Sequence, residues 1–182
     1  MKITAPQDAA SSRYAHSAPS DSGSISFASS GASDRKITLT VTPAEGAVDC
    51  TVNATPLSFG AFSPLDGAAH DSEARITVAC YSDTGSESAA YEIALDAGSA
   101  GTLTPRAMQS YGNQLAYNLY TSSTYGTVWG IAAGATVAGN LSLNAANVTY
   151  SHDYPVYGRI LAGQSQAHIG TYNDSVTITV TY

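Results

Sequence analysis

Charged side chains are scarce in this chain. Asp, Glu, Lys and Arg make up 12% of its 182 residues, about half the usual share of a soluble domain. Only seven residues are Lys or Arg, and the formal net charge is −7. Because nucleic-acid binding rests on Lys and Arg contacts to phosphate, the composition excludes nucleic acid as a partner. The surface must instead be built from Ser, Thr, Asn and Gly, as is common in secreted β-proteins.

Long apolar runs and catalytic motifs are also missing. No apolar run approaches the roughly 18 residues of a membrane-spanning helix. The sequence contains no nucleophile elbow, Gly-rich phosphate loop, or paired His or Cys metal motif. Ser151, His152 and Asp153 are adjacent, but neighbours on a strand point to opposite faces and cannot form a relay among themselves. We therefore predict no enzymatic activity, no metal and no small-molecule cofactor.

Carboxylates and aromatic residues receive structural interpretations. Asp66, Asp96 and Asp174 lie in turn-like segments, where Asp is favoured for local backbone hydrogen bonding. They are interpreted as turn residues rather than as a general acid–base pair. The single Trp, Trp129, and the twelve Tyr residues are candidates for a sugar-binding face, but packing in the core and on strand faces is the favoured interpretation.

The two cysteines, Cys50 and Cys80, are the whole thiol inventory. An even pair in a Thr-rich β-chain predicts one disulfide and an oxidising compartment; two buried free thiols are the alternative. The first eight residues lack the apolar segment of a secretion signal. Either a signal has been removed or the natural chain starts elsewhere.

The chain divides into a polar arm and a β-domain. Residues 1–35 are rich in Ser, Ala, Asp and Gly and predict a flexible arm, with a weak strand at 24–27. Residues 36–182 carry short strands separated by turn signals, which indicates an all-β sandwich. The predicted strands lie at 37–42, 48–52, 57–60, 74–80, 91–96, 115–120, 127–130, around 141–143, 156–161 and 175–182.

The last predicted strand has a strict period-two pattern. Val176, Ile178, Val180 and Tyr182 fall on one face, and the intervening Thr residues, Thr177, Thr179 and Thr181, fall on the other. A strand with such a face needs partners on both sides, since otherwise it becomes an aggregating edge. We therefore expect another segment, from this or another molecule, to cover it.

The second half of the chain carries an ordered set of motifs. It resembles the spore coat protein U domain family, which includes the subunits of archaic chaperone–usher pili. The motifs are Phe59-Gly60, Ile76-Thr-Val-Ala-Cys80, Ala94-Leu-Asp-Ala-Gly98, Arg106-Ala-Met108, Leu115-Ala-Tyr-Asn-Leu-Tyr-Thr121, Thr127-Val-Trp-Gly130, Val156-Tyr-Gly-Arg-Ile160 and Gly170-Thr-Tyr-Asn-Asp-Ser-Val-Thr-Ile-Thr-Val-Thr-Tyr182.

The resemblance implies an immunoglobulin-like sandwich that lacks its last strand and is completed by a donor strand. In such pili a periplasmic chaperone first supplies the missing strand, and the N-terminal segment of the next subunit then replaces it. The family's disulfide corresponds to Cys50 and Cys80, and its donor segment corresponds to residues 36–42. The donor residues would be Ile37, Leu39 and Val41, and the acceptor-edge residues Val176, Ile178 and Val180.

The resemblance implies a structural subunit of a secreted surface fibre that serves adhesion and biofilm formation. Its partners would be other copies or related subunits, a periplasmic chaperone and an outer-membrane usher, and its route would lead through the periplasm to the cell surface. A coat protein of a cell or spore surface and a carbohydrate-binding β-sandwich are the alternatives. Residues 37–42 also have a simpler alternative role, as an ordinary strand of their own domain.

Overall fold

The chain folds into β-structure throughout its described parts. The computed structural model describes residues 23–27, 37–41 and 48–182, and in these ranges it contains strands, one short 3-10 turn at Pro64–Asp66 and no α-helix. The predicted all-β class is confirmed. The strands are β1 (Gly23–Phe27), β2 (Ile37–Val41), β3 (Val48–Ala54), β4 (His70–Ser82), β5 (Glu87–Leu95), β6 (Arg106–Ser110), β7 (Asn113–Tyr120), β8 (Val137–Leu143), β9 (Val148–Ile160) and β10 (Ile178–Thr181).

Two antiparallel sheets form the layers of the domain. The smaller sheet has the strand order β10-β5-β8, and the larger has the order β3-β4-β9-β7-β6. β1 and β2 pair with each other in a separate antiparallel ladder. Because β4 and β5 are consecutive but belong to different sheets, the chain crosses between the layers after Ser82. This arrangement agrees with the predicted immunoglobulin-like sandwich.

The core lies between the sheets and follows the alternation in the sequence. Along β5, Tyr91, Ile93 and Leu95 are buried, whereas Glu92 between them is exposed. β4 contributes Ile76, Val78 and Cys80 from the opposite layer. The period-two pattern therefore predicted which side of each of these strands is buried.

Two predicted strands are wrong. Residues 57–60 form no strand, although Leu57 and Phe59 are buried. These side chains pack over Gly158 of β9, where an added Cβ would lie 2.7 Å from Leu57. Residues 127–130 make only one isolated bridge, from Val128 to Tyr120. At 57–60 every second side chain is buried although the segment joins no ladder, and at 127–130 the two consecutive residues Trp129 and Gly130 are buried without forming a strand.

A disulfide joins the first two strands of the larger sheet. Cys50 on β3 and Cys80 on β4 are directly opposite in the ladder, and they are bonded to each other across a sequence separation of 30 residues. Neither sulfur is a free thiol. The predicted pairing is confirmed, and the alternative of two buried thiols is wrong.

Removing this bond should lower stability without changing the fold. Replacing both cysteines by Ala is expected to cost about 3–4 kcal/mol, because a loop of this length then regains its freedom in the unfolded chain. Urea unfolding of the oxidised protein and the double variant measures the difference. Intact mass should fall by about 2 Da on oxidation. Two alkylatable thiols in protein from an oxidising compartment would contradict the assignment.

The weak strand predicted at 24–27 is present as β1, and the strand at 37–42 is present as β2. The remainder of the predicted arm at 1–35 lies outside the described residues. Within the parts that the structure does describe, no helix has the length and apolar character needed to span a membrane.

Candidate strand-acceptor site

The candidate acceptor strand, β10, lies at the edge of the smaller sheet. Its outer side joins no ladder with any strand that the structure describes. Val180 is 2% exposed, and Val176 and Ile178 are half-buried against the core. These three apolar side chains pack on the core, although Thr177 and Thr179 are half-buried as well. On the inner side the register is Ile178↔Leu95, Thr179↔Ala94, Val180↔Ile93 and Thr181↔Glu92.

An edge strand of the other sheet contacts the end of β10. β3 is the outermost strand of the larger sheet, and its Val48 and Val52 are half-buried against the core. The Tyr182 hydroxyl accepts a hydrogen bond from the backbone N–H of Cys50 at 3.3 Å. Burial raises the pKa of Tyr182, so the hydroxyl remains neutral at physiological pH. This contact ties the end of β10 to the edge strand β3.

The predicted donor segment lies beside this edge. The backbone of β2, which contains Ile37, Leu39 and Val41, contacts the backbone of β10 without joining its ladder. On its own ladder β2 pairs with β1, and Leu39 is opposite Ile25 while Ile37 is opposite Phe27. The structure thus brings the predicted donor and acceptor segments together within one chain.

A side chain replaces the ladder where β10 begins. The Asp96 backbone N–H donates to the Thr177 carbonyl at 3.1 Å. In return, the Thr177 N–H donates to Oδ1 of Asp96 at 2.8 Å rather than to a backbone oxygen. Oδ1 also accepts from the N–H of Gly98 at 3.0 Å, the local bond expected of an Asp turn. The regular ladder consequently starts at Ile178, three residues after the predicted start of the strand at Ser175.

A fully buried arginine explains why the Asp96 carbonyl is not free for the ladder. Arg106 is 0% exposed. Its Nε donates to the Asp96 carbonyl at 2.8 Å, and its Nη2 donates to the carbonyls of Leu95 at 3.2 Å and Trp129 at 2.6 Å. Burial lowers the pKa of Arg106, and the nearby carboxylates of Asp96 and Asp174 oppose this shift. Arginine stays protonated under such conditions, so a full positive charge lies inside the domain.

Asp174 and Tyr117 complete this group. Asp174 is buried and accepts hydrogen bonds from the N–H groups of Ser99 at 2.7 Å and Ser175 at 2.8 Å. The Tyr117 hydroxyl donates to Oδ2 of Asp174 at 2.6 Å. Burial and the Asp174 carboxylate raise the pKa of Tyr117, which keeps it a donor. We call Asp96, Arg106, Tyr117 and Asp174 the polar node.

Sequence reasoning missed the polar node. The turn interpretation of Asp96 is confirmed, but for Asp174 it was incomplete, because that carboxylate is buried and connects distant segments. Arg106 was noted only as part of a family motif. Two features of the sequence pointed to a special role for Arg106. Cations are rare in this chain, which has only seven Lys or Arg residues, and Arg106 directly precedes the apolar residues Ala107 and Met108, both of which are buried.

The other candidate residues from the sequence make packing contacts or hydrogen bonds within the domain. Trp129 is 1% exposed, and its indole N–H donates to the Ile93 carbonyl at 3.0 Å, which confirms core packing for this residue. The Asp153 carboxylate accepts from Arg75 and Thr77 on the neighbouring strand, and the His152 ring packs on Tyr154. Among the described residues no group of three or more His, Cys, Asp or Glu is arranged to hold a metal ion.

Comparison with known proteins identifies a family. A similar solved chain comes from the crystal structure of the CsuC–CsuE chaperone–tip adhesion subunit pre-assembly complex from archaic chaperone–usher Csu pili of Acinetobacter baumannii, with 24% identity and a TM-score of 0.47. That match covers 81% of this chain but 42% of the other chain. No curated protein matches the sequence significantly. The family model described as the Spore Coat Protein U domain matches residues 35–179, so the chain belongs to this family.

Proposed function

We propose that this protein is a structural subunit of a secreted surface fibre, assembled by donation of a strand from one subunit to the next. The observation that carries the proposal is the outer edge of β10, which joins no ladder among the described strands although the strand's apolar face packs on the core. Membership of the Spore Coat Protein U domain family and the resemblance to archaic pilus subunits support it. An extended segment added here would gain both main-chain hydrogen bonds and side-chain pockets.

The donor is residues 36–42. Ile37, Leu39 and Val41 alternate with Thr residues, so one face of an extended segment can enter an apolar groove while the other remains in water. Each of these three side chains would contribute roughly 1.5–3 kcal/mol when fully buried, before the cost of ordering the segment is subtracted.

The position of β2 beside β10 supports the same exchange. A segment that lies beside its own edge can leave and pair with the identical edge of a neighbour, which is the principle of strand swapping. The contact between chains is head-to-tail, so it does not close on itself and produces a fibre. The fold-back arrangement corresponds to the monomer before assembly.

The proposed partners follow from this assembly. The subunit would associate with other copies or related subunits, and a periplasmic chaperone would cover the open edge before an outer-membrane usher exports it. The Cys50–Cys80 disulfide fits an oxidising compartment such as the periplasm. Adhesion and biofilm formation are the roles proposed for the finished fibre.

Peptide exchange on the full-length protein tests strand donation. A labelled synthetic peptide of residues 34–44 is mixed with the protein, and binding is followed by fluorescence anisotropy. We expect saturable binding, because the peptide competes with the protein's own segment for the edge of β10. Full-length protein carrying Leu39→Asp should bind the peptide more tightly, since its own segment would then bury a charge.

Matched peptides serve as controls. A peptide with Leu39→Asp should fail to bind, whereas one with Thr40→Asp should bind nearly as well as the natural sequence, because Thr40 lies on the wet face. Equal binding of the two altered peptides would show that the alternating face is not what the protein recognises. No binding of the natural peptide, together with a strictly monomeric protein, would refute strand donation.

A further inference from the structure

The alternating pattern of β10 leaves its own register undetermined. The sequence from Val176 to Val180 repeats a two-residue unit of an apolar residue followed by Thr. A one-residue slip would move the Thr residues into the core and is strongly disfavoured. A two-residue slip keeps every apolar side chain facing inward, so hydrophobic burial along the strand discriminates against it only weakly. Something outside the pattern must select one register.

The polar node makes contacts that a two-residue slip would break. Asp96 forms two hydrogen bonds with Thr177, one from its backbone and one to its carboxylate. Two residues of slip would remove Thr177 from this position and leave the half-buried carboxylate without that donor. Asp174 fixes the approach to the strand by accepting from Ser175 and from Ser99 across the turn. A buried polar group that loses its partner destabilises the protein by more than an ordinary hydrogen bond stabilises it.

Arg106 holds the other half of the pairing in place. It binds the carbonyls of Leu95 and Asp96, and Leu95 is the residue opposite Ile178, the first ladder pair of β10. The planar guanidinium can reach several carbonyls at once, which a lysine ammonium does less well. Arg106 therefore fixes the end of β5 with which β10 pairs.

We propose that the polar node sets the register of the acceptor strand, and thereby the phase and length of the edge that receives a donor. Arg106 and Asp96 are positioning residues that act through the backbone of β5 and Thr177. This role deepens the proposed function and rests on it for the binding consequence. The register itself is a property of the isolated chain.

Backbone NMR of the full-length protein with Asp96→Ala tests the proposal. In the natural protein, cross-strand contacts should join Thr179 to Ala94 and Thr181 to Glu92, as the ladder requires. The variant should show a second set, joining Thr179 to Glu92 or Thr181 to Ala94, which corresponds to a two-residue slip. Its affinity for the 34–44 peptide should fall about tenfold or more, since the pockets are then out of phase.

Two further variants separate the hydrogen bond from other effects. Asp96→Asn keeps an oxygen acceptor for the Thr177 N–H and should retain the natural register. Asp153→Ala removes an exposed carboxylate from β9 and should change neither register nor peptide binding. Arg106→Lys retains the charge but loses the planar guanidinium with its several donors, and it should produce the slipped contacts as well. If Asp96→Ala does not fold, Arg106→Lys takes its place.

The outcomes distinguish this proposal from the proposed function. Only natural-register contacts in both Asp96→Ala and Arg106→Lys would overturn the role of the node, whatever the peptide does. Slipped contacts in the variants, together with no binding of the peptide to the natural protein, would support the role of the polar node and refute strand donation. Slipped contacts with unchanged peptide affinity would overturn the claim that register controls the acceptor edge.

Discussion

Val180→Asp should remove most of the stability of the domain. Val180 is 2% exposed and lies opposite Ile93, which is fully buried. A carboxylate at this position has no partner, and an uncompensated buried charge costs about 3–5 kcal/mol. That loss is a large fraction of the roughly 5–15 kcal/mol that stabilises a typical domain. Urea or thermal unfolding followed by circular dichroism measures the effect.

Thr181→Asp is the matched control for this substitution. Thr181 follows Val180 on the same strand, and its side chain is exposed, so the new carboxylate stays in water. Its cost should be within about 0.5 kcal/mol, as for ordinary surface changes. Similar losses of stability in the two variants would mean that the register of β10 is wrong.

Arg106→Met should be nearly as damaging, for an electrostatic reason. The substitution retains an unbranched side chain but leaves the carbonyls of Leu95, Asp96 and Trp129 without their donor. It also removes the positive charge near Asp96 and Asp174. Removing one partner from a buried charged group costs about 3–5 kcal/mol, and equilibrium unfolding in urea should show a loss of this size.

Arg75→Met is the corresponding surface variant. Arg75 pairs with Asp153 at 3.0 Å, and 61% of its side chain is exposed. An exposed ion pair contributes about 1 kcal/mol at most, so this variant should remain close to the natural protein. A loss below about 1 kcal/mol for Arg106→Met would contradict the importance of the polar node.

The alternation of apolar and polar residues was sufficient to predict the strands in which inward-facing and outward-facing side chains alternate regularly. Along β4 and β5 the residues that the alternation places inward are more buried than their neighbours, and in β10 it places the buried Val180 inward, although Thr179 is half-buried like Ile178. It failed at Leu57 and Phe59, because an irregular segment can also bury every second side chain, and at Trp129, because a large aromatic side chain can be buried from a loop. Periodicity indicates which side chains are buried, whereas a ladder also requires a neighbouring strand whose backbone lies within hydrogen-bonding distance.

The polar node could not be predicted from local patterns. Its four residues are far apart in the sequence, with Asp96 and Asp174 separated by 78 positions. Only the topology of the two sheets brings them together. The turn propensity of Asp predicted the local bond from Gly98 to Asp96. It carried no information about Thr177, which the fold places beside the same carboxylate.

The family resemblance predicted a different kind of feature. It associated residues 36–42 with the open edge of a neighbouring subunit, and in the structure β2 lies beside β10 of its own chain. Composition and spacing alone indicated only that the last strand needed a cover. Which molecule supplies that cover is the central question for the function.

Isotope-mixed cross-linking answers this question most directly. Full-length protein with a photo-reactive residue at position 39 is prepared in ¹⁴N and ¹⁵N forms, which are mixed equally, unfolded with the disulfide intact, refolded together and irradiated. Mass spectrometry then identifies the isotope of each cross-linked peptide pair. Our account predicts links from position 39 to residues 176–182, of which about half join peptides of different isotopes, because donation between chains is random with respect to the label. Links that join only peptides of the same isotope would show that each chain covers its own edge and would contradict assembly by strand donation.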